Sequence, residues 1–405
     1  MSLPLAGVKV LDLTHALAGP YASMILADLG ADVIKIESAP HGDPIRSWGT
    51  KVRGESTYNL ATNRNKRAVL LNYRAPIALQ AVRTMAANCD VMLENFRPGV
   101  IEKMGLGYEH VSPANLRLIF GSISGFGRNG ARSEEPGFDV TLQAVSGMMS
   151  INGTPDGEPL RMGVPLGDLG AGMWLALGVV AAILQREVTG RGQRVDTSLL
   201  STLTGMLANH AQNYLTAGVT PTRTGNTHPA ICPYGVFQAK DDLIAIASAT
   251  PNMWSKFCEV VGLEHLTESK EFGTPTARIS NPESLKRLIN ERLAIDTAEN
   301  WSRKLGAAGI PSSPIFSVPR ALEEAQINQP GLIESISHPT LGTWRVPASP
   351  LKLSAAACVT STRMPPPALG QHSIECLREL GVEEKIIARL LSDGDLIQAG
   401  NSCVQ

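Results

Sequence analysis

Two hydrophobic rhythms alternate along the first third of the chain. Residues 8–13 (VKVLDL) and 33–37 (VIKIE) read as strands rich in β-branched and aliphatic side chains. Between them, residues 20–29 (PYASMILADL) repeat at helical spacing, with Pro20 suited to a first turn and Gly30 to a stop. The alternation continues through a strand at 68–71, a helix near 77–87 and strands at 91–94 and 118–122. A βαβ unit followed by more of the same predicts a parallel sheet with helices on both faces, an α/β, Rossmann-like domain.

Farther on the rhythm breaks. Residues 125–172 are dense in glycine, which predicts turns and close backbone approach, and a functional loop system is one reading of them. The most apolar run, 169–184, has 16 residues, short of the roughly 20 that span a bilayer, and so predicts a buried helix. A turn and strand at 190–196 and a helical stretch at 198–215 follow. Polar residues 220–233 read as a linker, and a second domain begins at 234, with a strand at 243–247 and helices at 282–293 and 298–308. Pro347, Pro350 and Pro365 to Pro367 mark a return path to a final helical stretch.

Charge narrows the function classes. Lys and Arg number 36 against 37 Asp and Glu, and only 5 Trp, 6 Tyr and 8 Phe occur in 405 residues, so neither phosphate tracking nor base stacking is favoured. The six cysteines (89, 232, 258, 358, 376, 403) show no CxxC spacing and the histidines no HExxH, which predicts no metal site and reduced thiols. The first residues read as a strand, not an export signal, so the expectation is a cytoplasmic protein without a membrane anchor.

Ligands of open parallel sheets gather at the carboxyl ends of strands, here the loops 14–19, 38–42, 72–74, 95–99 and 122–130. Arg74 and Arg97 lie in these loops, with Lys103 just beyond, and each is either solvated surface charge or a ligand contact. Glu37 ends the second strand where a dinucleotide site would hold a ribose, but the first turn lacks GxGxxG.

Asp168, at the mouth of the apolar run, carries the candidate chemistry. One account is an N-cap. The other is a nucleophile, a carboxylate between glycines, with a helix N-terminus able to stabilise an oxyanion; the two roles are compatible.

The segments LDLTHALAGPYAS, NRNK at 63–66, ENFRPG at 94–99, MGLG at 104–107, GDL around Asp168, GRGQRVDTSLL at 190–200, GNTHPAICPYGVF at 225–237 and MPPPALGQHS at 364–373 together resemble the class III (family III) CoA-transferases in order and spacing. The resemblance implies CoA exchange through covalent aspartyl intermediates on Asp168, with Phe138, Asp139 and Gly167 beside it, and coenzyme A as substrate without a tightly bound cofactor. It places CoA contacts at Leu17, Ala18, Asn72, Arg74, Asn95, Phe96, Arg97 and Lys103; Leu17 stands where some members carry Gln, and Ser38 where one carries Arg. It further implies a large domain assembled from both chain ends (1–204 and 349–405), linkers at 205–225 and 330–348, a smaller α+β domain at 226–329, and an interlinked homodimer.

The run from GDPIRSWG to the proline-rich tail looks closest to members that move CoA from succinyl-CoA to a dicarboxylate such as glutarate, itaconate, citramalate or malate. Arg46 and Arg64 are candidates for the distal carboxylate, against structural pairing, with His15 and His228 as further loop candidates. The rival activity within the family, racemisation beside a thioester, needs paired proton-exchanging groups, and Phe138 stands where racemases carry His. A catalytically idle CoA-binding protein is the alternative from another class.

Overall fold

The computed structural model describes residues 2–354 and 361–399, so Cys358, Cys403 and part of the expected 349–405 segment lie outside the described residues. The chain divides into two compact units: one of residues 1–148, 161–218 and 329–405, the other of 149–160 and 219–328.

The larger unit is built on a seven-stranded sheet. Its order is Leu396–Ile397, Lys66–Leu71, Asp32–Ser38, Lys9–Asp12, Val91–Glu94, Ile119–Ser124, Arg194–Ser198, all parallel except the first, which pairs antiparallel at one edge. Order reverses at Lys9–Asp12, so the strands leading out on either side leave a crevice at their carboxyl ends, the usual ligand position in such sheets. The expected strands at 8–13, 33–37, 68–71, 91–94 and 118–122 and the helices Ala18–Asp28 and Pro76–Ala87 are present. Leu11, Ile34, Val69, Met92 and Phe120 pack into one core with the helices Pro76–Ala87, Ser373–Glu379 and Glu384–Ser392.

A buried charge network underlies the first strand. Asp12 accepts from the Ser23 hydroxyl at 2.6 Å and lies 3.4 Å from the Lys66 ammonium, both lysine and aspartate shut from solvent. Lys66 also donates to the Pro20 carbonyl at 2.9 Å and the Asn63 side chain at 2.8 Å. Lys35 pairs with Asp43 at 3.0 Å and donates to the Thr14 carbonyl at 2.7 Å. Burial pulls the Lys66 ammonium down to about 7 even beside Asp12. For Lys35, burial is more than offset by Asp43, Asp12 and Glu37, which hold it above its ordinary value.

The helix Leu166–Thr189 runs across this unit and ends at Gly190, whose φ of +71° suits a left-handed cap. A Cβ at Gly172 would come within 2.6 Å of the Ala18 carbonyl, and one at Gly170 within 2.5 Å of Met206, so these glycines let helices Ala18–Asp28 and Leu199–Met206 approach closely. Gly167, Gly170 and Gly172 are therefore packing positions inside a helix, not part of a loop system. Nor is that helix buried all round: Met173, Trp174, Leu177, Leu184 and Val188 are exposed, Val188 at 88%. By length and composition it also passes as a membrane span, a test that core helices pass too.

Two expected linkers are structured. Residues 205–225 include the helix Ala208–Ala217, and 330–348 form the hairpin Ile333–His338 with Gly342–Pro347. The smaller unit holds the antiparallel strands Tyr234–Gln238, Leu243–Ala247 and Ser312–Pro314, with Trp254, Phe257, Leu285 and Trp301 in its core. Residues 149–160 join it because Gly225 donates to the Gly153 carbonyl at 3.0 Å and the Arg223 guanidinium to that of Thr154 at 3.2 Å.

Replacing Asp12 with Ala takes the counter-charge from the buried Lys66 side chain, while Lys35 keeps Asp43. We expect a loss of about 3–5 kcal/mol in urea-induced unfolding, as for a broken buried ion pair; a change below about 1 kcal/mol would contradict this account.

Candidate active site

The first loop is fixed before any ligand arrives. Gly19 lies so close to Thr14 that a Cβ would meet its side chain at 2.2 Å. Ala16 sits at φ +62°, unusual for a residue with a side chain, and its amide donates to Asp43 at 3.0 Å. Across the switch point, Asn95 accepts from the His15 amide at 2.9 Å and donates to the His15 carbonyl at 2.8 Å. Burial pushes the His15 imidazole below its ordinary value.

Around this loop the rings of His15 and Phe96 lie 5.3 Å apart and those of Tyr73 and Phe96 6.3 Å apart, an aromatic ledge at the strand ends. Glu94 holds the Phe96 amide at 2.8 Å and accepts from the Ser122 hydroxyl; burial pushes it up to about 7. Arg74 and Arg97 are exposed in the loops after their strands and Lys103 at the end of the short helix Val100–Lys103, and none has an ion-pair partner among the described residues. Leu17 and Ala18 open the helix Ala18–Asp28 at this edge, Ala18 buried.

Several expected contacts have structural partners instead. The Asn72 side chain donates to Asp395 at 2.7 Å, tying on the edge strand. Asn95 is engaged on both sides by the first loop, as described. Arg46 forks onto Glu37 at 2.7 and 2.6 Å, so Glu37 is no ribose acid and Arg46 no free cation. Arg64, buried, grips Asp28 at 2.6 Å and the Pro347 carbonyl at 2.7 Å, too enclosed to meet a substrate. His228 belongs to the smaller unit, where its ring lies 5.1 Å from that of Tyr234 and its Nδ1 accepts from the Ala230 amide.

Asp168 is not the N-cap. Pro165 occupies that position and has no N–H, so Asp168 sits in the first turn with no capping amide to accept from. The first-turn amides turn to Asp139 instead: Gly167 donates to its Oδ1 at 2.8 Å and Asp168 at 3.4 Å. A Cβ at Gly167 would meet that oxygen at 2.9 Å, so a glycine admits the carboxylate here. Asp139 opens the short helix Asp139–Val145 and is only 9% exposed, while Phe138 before it is 69% exposed.

The consequence falls on Asp168. Among the described residues its carboxylate accepts no hydrogen bond; burial and then the Asp139 charge push it up to about 7. A half-buried, unpaired carboxylate at a helix N-terminus is a competent nucleophile, because little solvation must be stripped from it. Asp139 and its partner Gln143 carry no signal in periodicity; only the resemblance pointed to Asp139, and nothing to Gln143.

The comparisons agree on one relationship. A family model, CoA-transferase family III, matches residues 5–373. Succinyl-CoA:glutarate CoA-transferase of Mus musculus is 38% identical over 397 residues, covering 98% of this chain and 91% of that one. Succinyl-CoA:mesaconate CoA-transferase of Haloarcula marismortui is 35% identical, covering 93% of this chain and 96% of its own. A crystal structure of a CAIB/BAIF family protein from Brucella suis superposes with a TM-score of 0.84 at 34% identity, covering 94% of this chain and 100% of that one.

An acid whose folded-state value is raised binds its proton more tightly folded than unfolded, so its ionisation erodes stability as pH climbs from near 4 to about 7. Asp168→Asn removes that cost. Its melting temperature should exceed that of the parent by about 2–4 °C at pH 8 and by little at pH 4.5; an equal difference at both would contradict the assignment.

Proposed function

The chain belongs to CoA-transferase family III, and from that premise we propose that it moves CoA from succinyl-CoA to a second dicarboxylate through covalent intermediates on Asp168. The observation that carries this is the unpaired Asp168 carboxylate, pushed up to about 7 at the N-terminus of its helix.

Asp168 attacks the thioester carbonyl of the donor. The C–S bond breaks, and an acyl-aspartyl anhydride and CoA thiolate result. The thiolate then attacks the Asp168 carbonyl carbon, giving an aspartyl-CoA thioester and releasing the donor acid as its carboxylate. An acceptor carboxylate displaces the thiolate to form a second anhydride, and the thiolate attacks the acceptor's acyl carbon. Acceptor-CoA leaves and Asp168 is restored. One thioester replaces another, so no external energy source enters. The positive end of the helix Leu166–Thr189 can stabilise each tetrahedral oxyanion, and both intermediates require exclusion of water.

Arg74, Arg97 and Lys103, exposed and without ion-pair partners among the described residues, suit the CoA phosphates, and the Phe96 ledge suits a flat base. The relatives named for glutarate and mesaconate support a dicarboxylate acceptor; glutarate, itaconate, citramalate and malate form the test set. Racemisation is disfavoured because Phe138 carries no exchangeable proton.

With succinyl-CoA as donor, at least one of these dicarboxylates should exceed formate, oxalate and carnitine in kcat/KM by about tenfold or more. Asp168→Ala should lower turnover at least about 10³-fold. Retained turnover in that variant rules out the mechanism, and a preference for the small or zwitterionic acids rules out the substrate class.

We also propose a homodimer, interlinked as the family resemblance implies. The exposed apolar stripe Met173, Trp174, Leu177, Leu184 and Val188 supports a covered face on the helix Leu166–Thr189. Sedimentation should return twice the 43.1 kDa chain mass at micromolar concentration; a monomer there would refute it.

A further inference from the structure

One fully buried amide stands behind the nucleophile's setting. Gln143, in the helix Asp139–Val145, has no solvent exposure. Its Nε2 donates to Asp139 Oδ2 at 2.6 Å, and its Oε1 accepts from the Met162 amide at 2.8 Å. Asp139 Oδ1, in turn, holds the Gly167 and Asp168 amides. A continuous path of hydrogen bonds thus runs from the segment leading into the catalytic helix, through Gln143 and Asp139, and back to the helix's first turn.

We propose that Gln143 is a positioning residue for acyl transfer. By donating to one oxygen of Asp139 it aims the other at the first-turn amides, and by accepting from Met162 it fixes the approach to Pro165. Both constraints hold the Asp168 backbone still while its carboxylate remains unpaired. The inference rests on Asp168 being the nucleophile and assigns the device that keeps it in place.

Direction of donation is what makes the relay specific. A side-chain amide has one donor end and one acceptor end, and both ends are in use here. With Asp139→Asn alone, two NH₂ groups would face each other unless Gln143 turned over, and turning over would abandon Met162. With Gln143→Glu alone, two carboxylates would face each other. Exchanging both restores the pattern. The new amide at position 139 donates to the new carboxylate at position 143, which still accepts from Met162, and the amide oxygen at position 139 still accepts from the helix.

Gln143→Glu, Asp139→Asn and the double variant are therefore compared in the full-length enzyme with succinyl-CoA and its best acceptor. Each single variant should lose about 10–100-fold in kcat while KM for the acyl-CoA stays within about twofold, since orientation and not CoA affinity is disturbed. The double variant should recover at least about tenfold of that loss, a coupling that independent sites do not show. A kcat within about twofold of the parent in Gln143→Glu, or a double variant no better than the worse single, overturns the relay. If Gln143→Glu does not fold, the double variant decides alone: folded and active supports the relay, unfolded or inactive overturns it. Acid-quenched parent enzyme incubated with succinyl-CoA, without acceptor, should carry the acyl or CoA mass on the peptide containing Asp168. Absence of that adduct overturns the nucleophile and the relay together, whereas an adduct without recovery in the double variant overturns the relay alone.

Discussion

Two ammonium groups sealed into the sheet set the terms for the larger unit. Lys35 and Lys66 cannot lie in a dry core without counter-charge and acceptors. Asp12 and Asp43 supply the charge, and the Thr14 and Pro20 carbonyls with the Asn63 side chain supply the acceptors. Those partners come from the first strand (Asp12), the first loop (Thr14), the start of the helix Ala18–Asp28 (Pro20), the turn after the second strand (Asp43) and the end of the short helix Thr57–Thr62 (Asn63). Satisfying the lysines therefore fixes the loop at the switch point, including the left-handed Ala16.

The helix Leu166–Thr189 is built onto that fixed edge. Gly172 lets it lie against the Ala18 carbonyl, and the distances involved leave no room for even a methyl group. Because Pro165 offers no amide and Asp139 takes those of Gly167 and Asp168, the Asp168 carboxylate has an electropositive helix terminus behind it and, among the described residues, no hydrogen bond to quiet it. In the proposed mechanism reactivity and instability have one cause: a carboxylate kept short of solvent and partners reacts readily and ionises reluctantly.

Misreadings of the chain are local in origin. Asp168 stands just before an apolar run, which suggests a cap, but the helix starts two residues earlier at Leu166 and its cap comes from a distant segment. Arg46 and Arg64 look like free cations in sequence because their partners, Glu37 and Asp28, lie 9 and 36 residues away. The apolar run looks fully buried because periodicity counts apolar positions without saying which have a neighbour; the stripe from Met173 to Val188 is left exposed within the chain.

By itself the sequence determined the strands and helices of the parallel sheet, since side-chain alternation and helical spacing are short-range properties. It also carried the family, through motifs whose order and spacing survive as text. Tertiary structure decided which charges are paired, which carboxylate caps the helix Leu166–Thr189 and which one stays free. Those outcomes depend on which donors and acceptors meet across tens to hundreds of residues, where burial makes each unsatisfied group costly and local pattern holds no record of the partner.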